Sequence, residues 1–207
     1  MDITIIGTGN MARGIASRLL AGGHGVTLLG TETQKAEPWP ANCPATCAPE
    51  KVGDPLAGDV VVLAIWYAVL QDVLSQYGDQ LNGKVVVDIT NPLDVEAFEP
   101  LSVDAGSAAQ EIAATVPGAR VMKAFNTTFA VTLAEGTVAG QPLDVFLASD
   151  DEDAKVIVGQ LVTDGGMRPV DAGPLRRARE LEALGYLHMA VQQLLGTSFA
   201  SAVKVVS

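Results

Sequence analysis

The chain has 207 residues, 48% apolar and 18% charged, with 24 acidic against 13 basic side chains and a formal net charge of −11. That length fits one domain, and the apolar content supports a sizeable core and excludes a disordered chain. The negative surplus argues against nucleic acid or an anionic membrane as partner, and an aromatic content of 5% argues against stacked-base platforms.

Residues 2–6 read as a buried strand, and the spacing of Met11, Ile15, Leu19 and Leu20 gives one apolar face to a helix from Asn10 to Ala21. The glycines around His24 stop that helix, and Val26–Leu29 forms a second strand. Residues 30–58 hold five prolines and no clear period, which predicts an irregular stretch with one short strand near Ala45–Ala48. Val60–Ile65 is a continuous apolar run, as in a strand buried on both faces. Extended to Leu70 the run is eleven residues long, well short of the roughly 20 that span a bilayer.

A helix is predicted from there to about Tyr77, then a strand at Lys84–Asp88. The second half adds a helix over Ser107–Thr115, strands at Arg120–Ala124 and Asp144–Ala148, and a helix over Asp151–Thr163 with Asp150 or Asp151 as its N-cap. Met167–Val170 is the last predicted strand. Pro174 opens a long helix to about Leu195, which Gly196 ends. This alternation predicts a Rossmann-like, doubly wound α/β fold with a mostly parallel sheet. A C-terminal helical extension starts at about residue 174, and residues 1–207 form a single domain.

The opening ten residues carry Asp2 and no basic region, so no signal peptide is read and a soluble, cytoplasmic protein is expected. Cys43 and Cys47, with His24 and His188 as the two imidazoles, give too few soft ligands for a zinc site. They read as free thiols, with a redox pair as the alternative.

Gly7-Thr8-Gly9-Asn10-Met11-Ala12 matches G-x-G-x-x-[GA] between a strand and a helix. In that pattern the first glycine permits a tight turn, the second admits a pyrophosphate to the backbone, and Ala12 allows close packing of helix on strand. Amides at the helix N-terminus then hold the phosphates. After the second strand, Thr31 can bond a ribose or a phosphate, whereas Glu32 would repel a 2′-phosphate if it pointed inward. The choice between NADP and NAD stays open on these residues.

Several further segments stand in order along the chain: Asn91-Pro92-Leu93, Lys123-Ala124-Phe125-Asn126-Thr127, Asp144-Val145-Phe146 with Asp150-Asp151, and Arg168 to Leu175. With the glycine turn they make the chain resemble the NADPH-dependent reductases of the deazaflavin coenzyme F420. The cytosolic domain of the STEAP metalloreductases is similar too, including its Lys-Ala-Phe-Asn-Thr segment. The resemblance implies a nicotinamide lying near Ile65 and Trp66, Asn91 and Pro92, and the stretch Asn126, Thr127, Thr128 and Ala130. It also implies a homodimer that uses the C-terminal helix. This chain differs from the characterised reductases in having Gly30-Thr31-Glu32 where they carry Ser-Arg, Asn126 where they often have histidine, and Trp66 where they have proline.

Direct hydride transfer between two such rings needs no general acid or base in its central step, in keeping with the lack of histidine in these segments. The expected function is hydride exchange between NADP(H), or NAD(H), and a small-molecule electron acceptor, a deazaflavin or flavin-like compound such as coenzyme F420. Two rivals stand beside it. A reductase of imines or carbonyls would need a proton donor, for which Tyr67 is placed; a non-catalytic dinucleotide sensor would need none. Arg176, Arg177 and Arg179 read either as a site for an acidic deazaflavin tail or as partners of Glu180 and Glu182. His188 reads as structural.

Overall fold

The computed structural model describes residues 1–30, 50–51 and 53–206. The first half comprises β1 (Asp2–Ile6), α1 (Asn10–Ala21), β2 (Gly25–Gly30), β3 (Glu50–Lys51), β4 (Val60–Leu63), α2 (Leu70–Leu81) and β5 (Val85–Asp88). A small hairpin of β6 (Leu93–Asp94) and β7 (Glu99–Pro100) precedes α3 (Ala108–Thr115), β8 (Arg120–Lys123) and α4 (Ala130–Glu135). A second hairpin, β9 (Thr137–Val138) and β10 (Gln141–Pro142), leads to β11 (Asp144–Ser149), α5 (Glu152–Asp164), β12 (Arg168–Gly173), α6 (Ala178–Ala190) and α7 (Gln192–Leu195).

Among the described residues, eight strands share one sheet in the order β12-β11-β8-β5-β4-β1-β2-β3. Its central strands are largely apolar because helices cover both faces. Ile3, Ile5, Val60, Val62, Val85 and Val87 pack with Ile15 and Leu19 of α1 and Val158 of α5. Ile6, Val61, Leu63 and Val86 pack on the other face with Leu74 and Tyr77 of α2 and Ile112 of α3. Each such side chain contributes about 1.5–3 kcal/mol through burial, so the two-sided run fixes β4 and β5 in the middle.

The sheet is mostly parallel, but β11 pairs with β8 antiparallel while β12 follows β11 in parallel. Hydrophobic pattern carries no strand direction; the connection sets it. In the 124–143 link, α4 lies beside α1, where Gly14 leaves room for Leu133. Arg18 bonds the carbonyls of Ala134 and Glu135 at the end of α4. The chain then enters β11 running against β8, fastened by a bond from Ser149 Oγ to the Val121 carbonyl.

Other boundaries follow local chemistry. Ser107 caps α3 by accepting from the Gln110 amide, and Asp151 caps α5 by accepting from the Ala154 amide. The long helix expected from Pro174 to Leu195 is instead a single 3-10 turn at 175–177 followed by α6 and the short α7. Gly196, at φ 63°, ends it as expected. The last strand runs on to Gly173. The strand expected near Ala45–Ala48, and both cysteines, lie outside the described residues. No helix among the described residues is long and apolar enough to cross a membrane.

Candidate functional site

Strand register aligns Leu29, Ile6, Leu63, Asp88 and Lys123 in one row across β2, β1, β4, β5 and β8. The Gly7–Met11 turn, Ile65–Trp66, Asn91–Pro92 and Asn126–Thr128 follow that row, so parallel pairing brings them to one edge of the sheet, whereas β11, antiparallel to β8, carries Asp150 and Asp151 to the other edge. The strand order reverses at β1, with β2 and β3 on one side and β4, β5 and β8 on the other. Open α/β sheets form their ligand crevice at such a reversal, outside the strand ends.

The turn at that point demands its glycine. Gly7 has φ 123°, its amide donates to the Leu29 carbonyl, and a Cβ there would lie 2.1 Å from the Ala64 carbonyl oxygen. A Cβ on Gly9, by contrast, would meet none of the described residues within 4 Å. Gly9 is also the N-cap of α1, which has no side-chain cap and no acid in its first turn. The helix start therefore leaves amides and a positive dipole end facing space that no described residue fills, beside a glycine. These features fit a pyrophosphate. Thr8 is buried, Asn10 exposed and Met11 half-buried, and Arg13 Nε bonds the Thr8 carbonyl at 3.1 Å.

On the neighbouring strand end, Ile65 is half-buried and Trp66 is 67% exposed. Asn91 is half-buried, with Pro92 buried beside it. Asn126, Thr127 and Thr128 are buried, and Ala130 begins α4 against Gly14 of α1. Thr31 and Glu32 lie outside the described residues.

Two of these residues form a closed pair. Asn91 Nδ2 donates to the Asn126 carbonyl at 3.0 Å, and Asn126 Nδ2 donates to Asn91 Oδ1 at 2.9 Å. Asn126 Nδ2 also donates to the Leu181 carbonyl at 2.8 Å, so both its protons are committed and the amide cannot flip without losing both bonds. Its Oδ1 is buried with no partner among the described residues, as is Thr90 Oγ1. Leaving a buried acceptor unmet costs about 1–3 kcal/mol. The turn into this loop runs through Phe125, a buried residue in the left-handed region at φ 60°. Such a conformation costs on the order of 1–3 kcal/mol, and the amide and hydroxyl of Thr128 hold it by both bonding the Phe125 carbonyl.

Beneath that pair lies a feature not anticipated from the sequence. Lys123 is fully buried, and its Nζ lies 2.7 Å from both Asp88 Oδ2 and Glu182 Oε1 while also donating to the Thr90 carbonyl. Asp88 Oδ1 accepts the Thr90 amide, and Glu182 Oε1 accepts the Ala108 amide at the start of α3. All three ammonium protons are thus used. Burial raises the Glu182 carboxyl above the usual range, with Lys123 opposing that shift. A signal for the network exists in the sequence: the predicted strands around Val85–Asp88 and Arg120–Lys123 carry opposite charges near their C-terminal ends.

Tyr67 Oη donates to Glu111 Oε2 at 2.7 Å. Burial and that carboxylate push the phenol up to about 12, which makes it a poor proton donor near neutral pH. His188 stacks on Phe129 with ring centroids 4.2 Å apart and contacts the Thr127 carbonyl and Ser201 Oγ. Burial lowers its pKa, so the ring sits neutral as a wedge between α6 and the 125–130 loop. The arginine cluster is away from this edge. The Leu175 amide bonds Asp150, and the adjacent Asp151 pairs with Arg120 at the opposite end of β8 from Asn126. Arg177 and Arg179 pair with Glu180, whereas Glu182 is taken by Lys123.

Residues 2–92 match the family model described as NADP oxidoreductase, coenzyme F420-dependent. A solved structure from Arthrobacter sp. FB24, provisionally assigned as an F420-dependent NADP reductase, is 30% identical, covers 99% of both chains and superposes with a TM-score of 0.84. The F420-dependent NADP reductase of Methanothermobacter thermautotrophicus is 29% identical over 89% of this chain and 86% of its own. The rat metalloreductase STEAP3 is 32% identical over 88% of this chain, which spans only 36% of that longer protein.

Proposed function

Because the chain belongs to the family of coenzyme F420-dependent NADP oxidoreductases, we propose that it binds NADP(H) at the β1–α1 turn and exchanges a hydride with a deazaflavin such as coenzyme F420. The observation that carries this reading is the Gly7 turn at the sheet's reversal, facing an uncapped helix start with no acid in it. On this reading Gly7, Thr8, Gly9, Asn10 and Met11 hold the pyrophosphate, and Thr31 and Glu32 meet the adenosine ribose. Ile65, Trp66, Asn91, Pro92, Asn126, Thr127, Thr128 and Ala130 frame the nicotinamide end.

When bound, the nucleotide supplies the carbon that gives or takes the hydride. The protein's own contribution is then to orient two rings and exclude water. The exposed Trp66 face offers an apolar wall for a ring, and the amide pair offers a fixed polar edge. Tyr67, held by Glu111 with its pKa pushed to about 12, supports a reaction without a proton donor and speaks against the imine or carbonyl reading. The proposal includes a homodimer through the C-terminal helices, supported by the exposed Leu187, Leu194 and Leu195.

Steady-state oxidation of NADPH and of NADH with coenzyme F420 as acceptor tests the reading. Turnover with at least one nucleotide is expected. Saturable nucleotide binding with no turnover would remove the deazaflavin as acceptor. Replacing the acid at the adenosine end, Glu32→Arg, is expected to tighten NADPH more than NADH; an equal effect would place Glu32 outside that site.

A further inference from the structure

The ends of β5 and β8 carry two rungs. Asp88 and Lys123 face each other in register and form an ion pair. Three residues beyond each strand end, Asn91 and Asn126 form the amide pair. Helix α6 closes both rungs from the side. Glu182 bonds Lys123, the Leu181 carbonyl bonds Asn126, and Gly185 presses on the amide pair: a Cβ there would lie 2.8 Å from the Asn126 carbonyl and 2.9 Å from Asn91 Oδ1.

A fully buried lysine between two carboxylates is a costly way to join a strand to a helix, since a well-packed apolar contact would serve stability as well or better. What charged, directional bonds add is a fixed geometry. Here each charged partner stands one short turn from an amide of the neighbouring rung. Resting on the NADP(H) reading above, we propose that Lys123, Glu182 and Gly185 are positioning residues for the nicotinamide end. Through them α6 sets the spacing and angle of the Asn91–Asn126 unit, which in turn meets the nicotinamide half of the dinucleotide. Asn91 is half-buried and Asn126 buried, so on this proposal Asn91 is the member that meets the ligand and Asn126 holds it from behind.

The test compares the affinity of the folded protein for NADPH and for adenosine 2′,5′-bisphosphate, which lacks the nicotinamide, by equilibrium titration. Glu182→Leu removes the bond to Lys123, Glu182→Gln keeps an acceptor in the same place, and Gly185→Ala adds a methyl against the amide pair while favouring the helix. Glu182→Leu and Gly185→Ala are expected to weaken NADPH about tenfold, and the bisphosphate less than twofold. Glu182→Gln should recover most of the loss. Should Glu182→Leu fail to fold, Gly185→Ala carries the same comparison. Equal weakening of both ligands, or of neither, in a folded Gly185→Ala protein would overturn the positioning role. Failure of the unaltered protein to bind either ligand would instead remove the functional reading and this inference with it.

Discussion

Lys123 places its ammonium 2.7 Å from the carboxylate of Asp88 on the adjacent strand, wholly out of contact with solvent. Glu182 of α6 completes the arrangement. Removing only the cation leaves two buried carboxylates facing one another, and uncompensated buried charge of this kind costs about 3–5 kcal/mol. Lys123→Met is expected to lose that order of stability at pH 7 in chemical denaturation. Restoring part of it by the double change Lys123→Met with Glu182→Gln would show that the loss comes from unpaired charge; a double variant no better than the single would not fit.

Gly7 gives a second expectation. At φ 123° and with the Ala64 carbonyl 2.1 Å from where a Cβ would stand, Gly7→Ala has to move the turn. Strained backbone of this kind costs about 1–3 kcal/mol before the clash is counted. NADPH titration should show loss of binding, accompanied by a lowered unfolding midpoint. Gly9→Ala, whose methyl meets none of the described residues within 4 Å, should leave the stability within about 1 kcal/mol while still impeding the ligand. Unchanged NADPH binding in both variants would place the pyrophosphate elsewhere.

The C-terminal segment is tied down by Asp144, which accepts from Arg168, from Lys204 and from the Val205 amide. Burial alone would raise this carboxyl; the three donors outweigh it and bring it to about 2. A carboxyl with a depressed folded pKa contributes stability that is complete above its unfolded pKa of about 4 and is lost as pH falls through the folded value. The protein should therefore lose about 1–2 kcal/mol between pH 4 and 2 from this group, discounted for the half-exposed Arg168. Asp144→Asn should be less stable at pH 7 and should lack that part of the acid limb when unfolding is followed against pH.

Tyr67 separates two chemistries. Its phenol is engaged by Glu111 and is a weak acid, so Tyr67→Phe is expected to keep kcat for NADPH and coenzyme F420 within about threefold, well under the 100-fold or more that general-acid catalysis typically supplies. Abolished turnover on an imine or carbonyl substrate in the same variant would favour the small-substrate reading.

Much of this arrangement was legible in the residues. The β1–α1–β2 unit follows from period and glycines, the caps at Ser107 and Asp151 from their side chains, and the row of loop segments from the parallel order. The antiparallel β11 was not legible, because Asp144–Ser149 looks the same in either direction and only the path through α4 orients it. Nor was the left-handed Phe125, since nothing in a buried aromatic residue announces a positive φ. Lys123 stands in the sequence as the head of the Lys-Ala-Phe-Asn-Thr segment, and its charge partner emerges only when register places it opposite Asp88. The two-part break of the C-terminal helix was also hidden, as the 3-10 turn at 175–177 is set by Asp150 reaching the Leu175 amide across the fold.

On the proposed function a hydride moves directly between two rings without an acid–base group. NADPH bearing deuterium on the transferring face of its nicotinamide, mixed with the protein and oxidised coenzyme F420 in ordinary water for a single turnover, tests it. Deuterium is expected at carbon 5 of the reduced deazaflavin. Solvent hydrogen at that carbon in the initial product, or no transfer from a nucleotide that demonstrably binds, would contradict it.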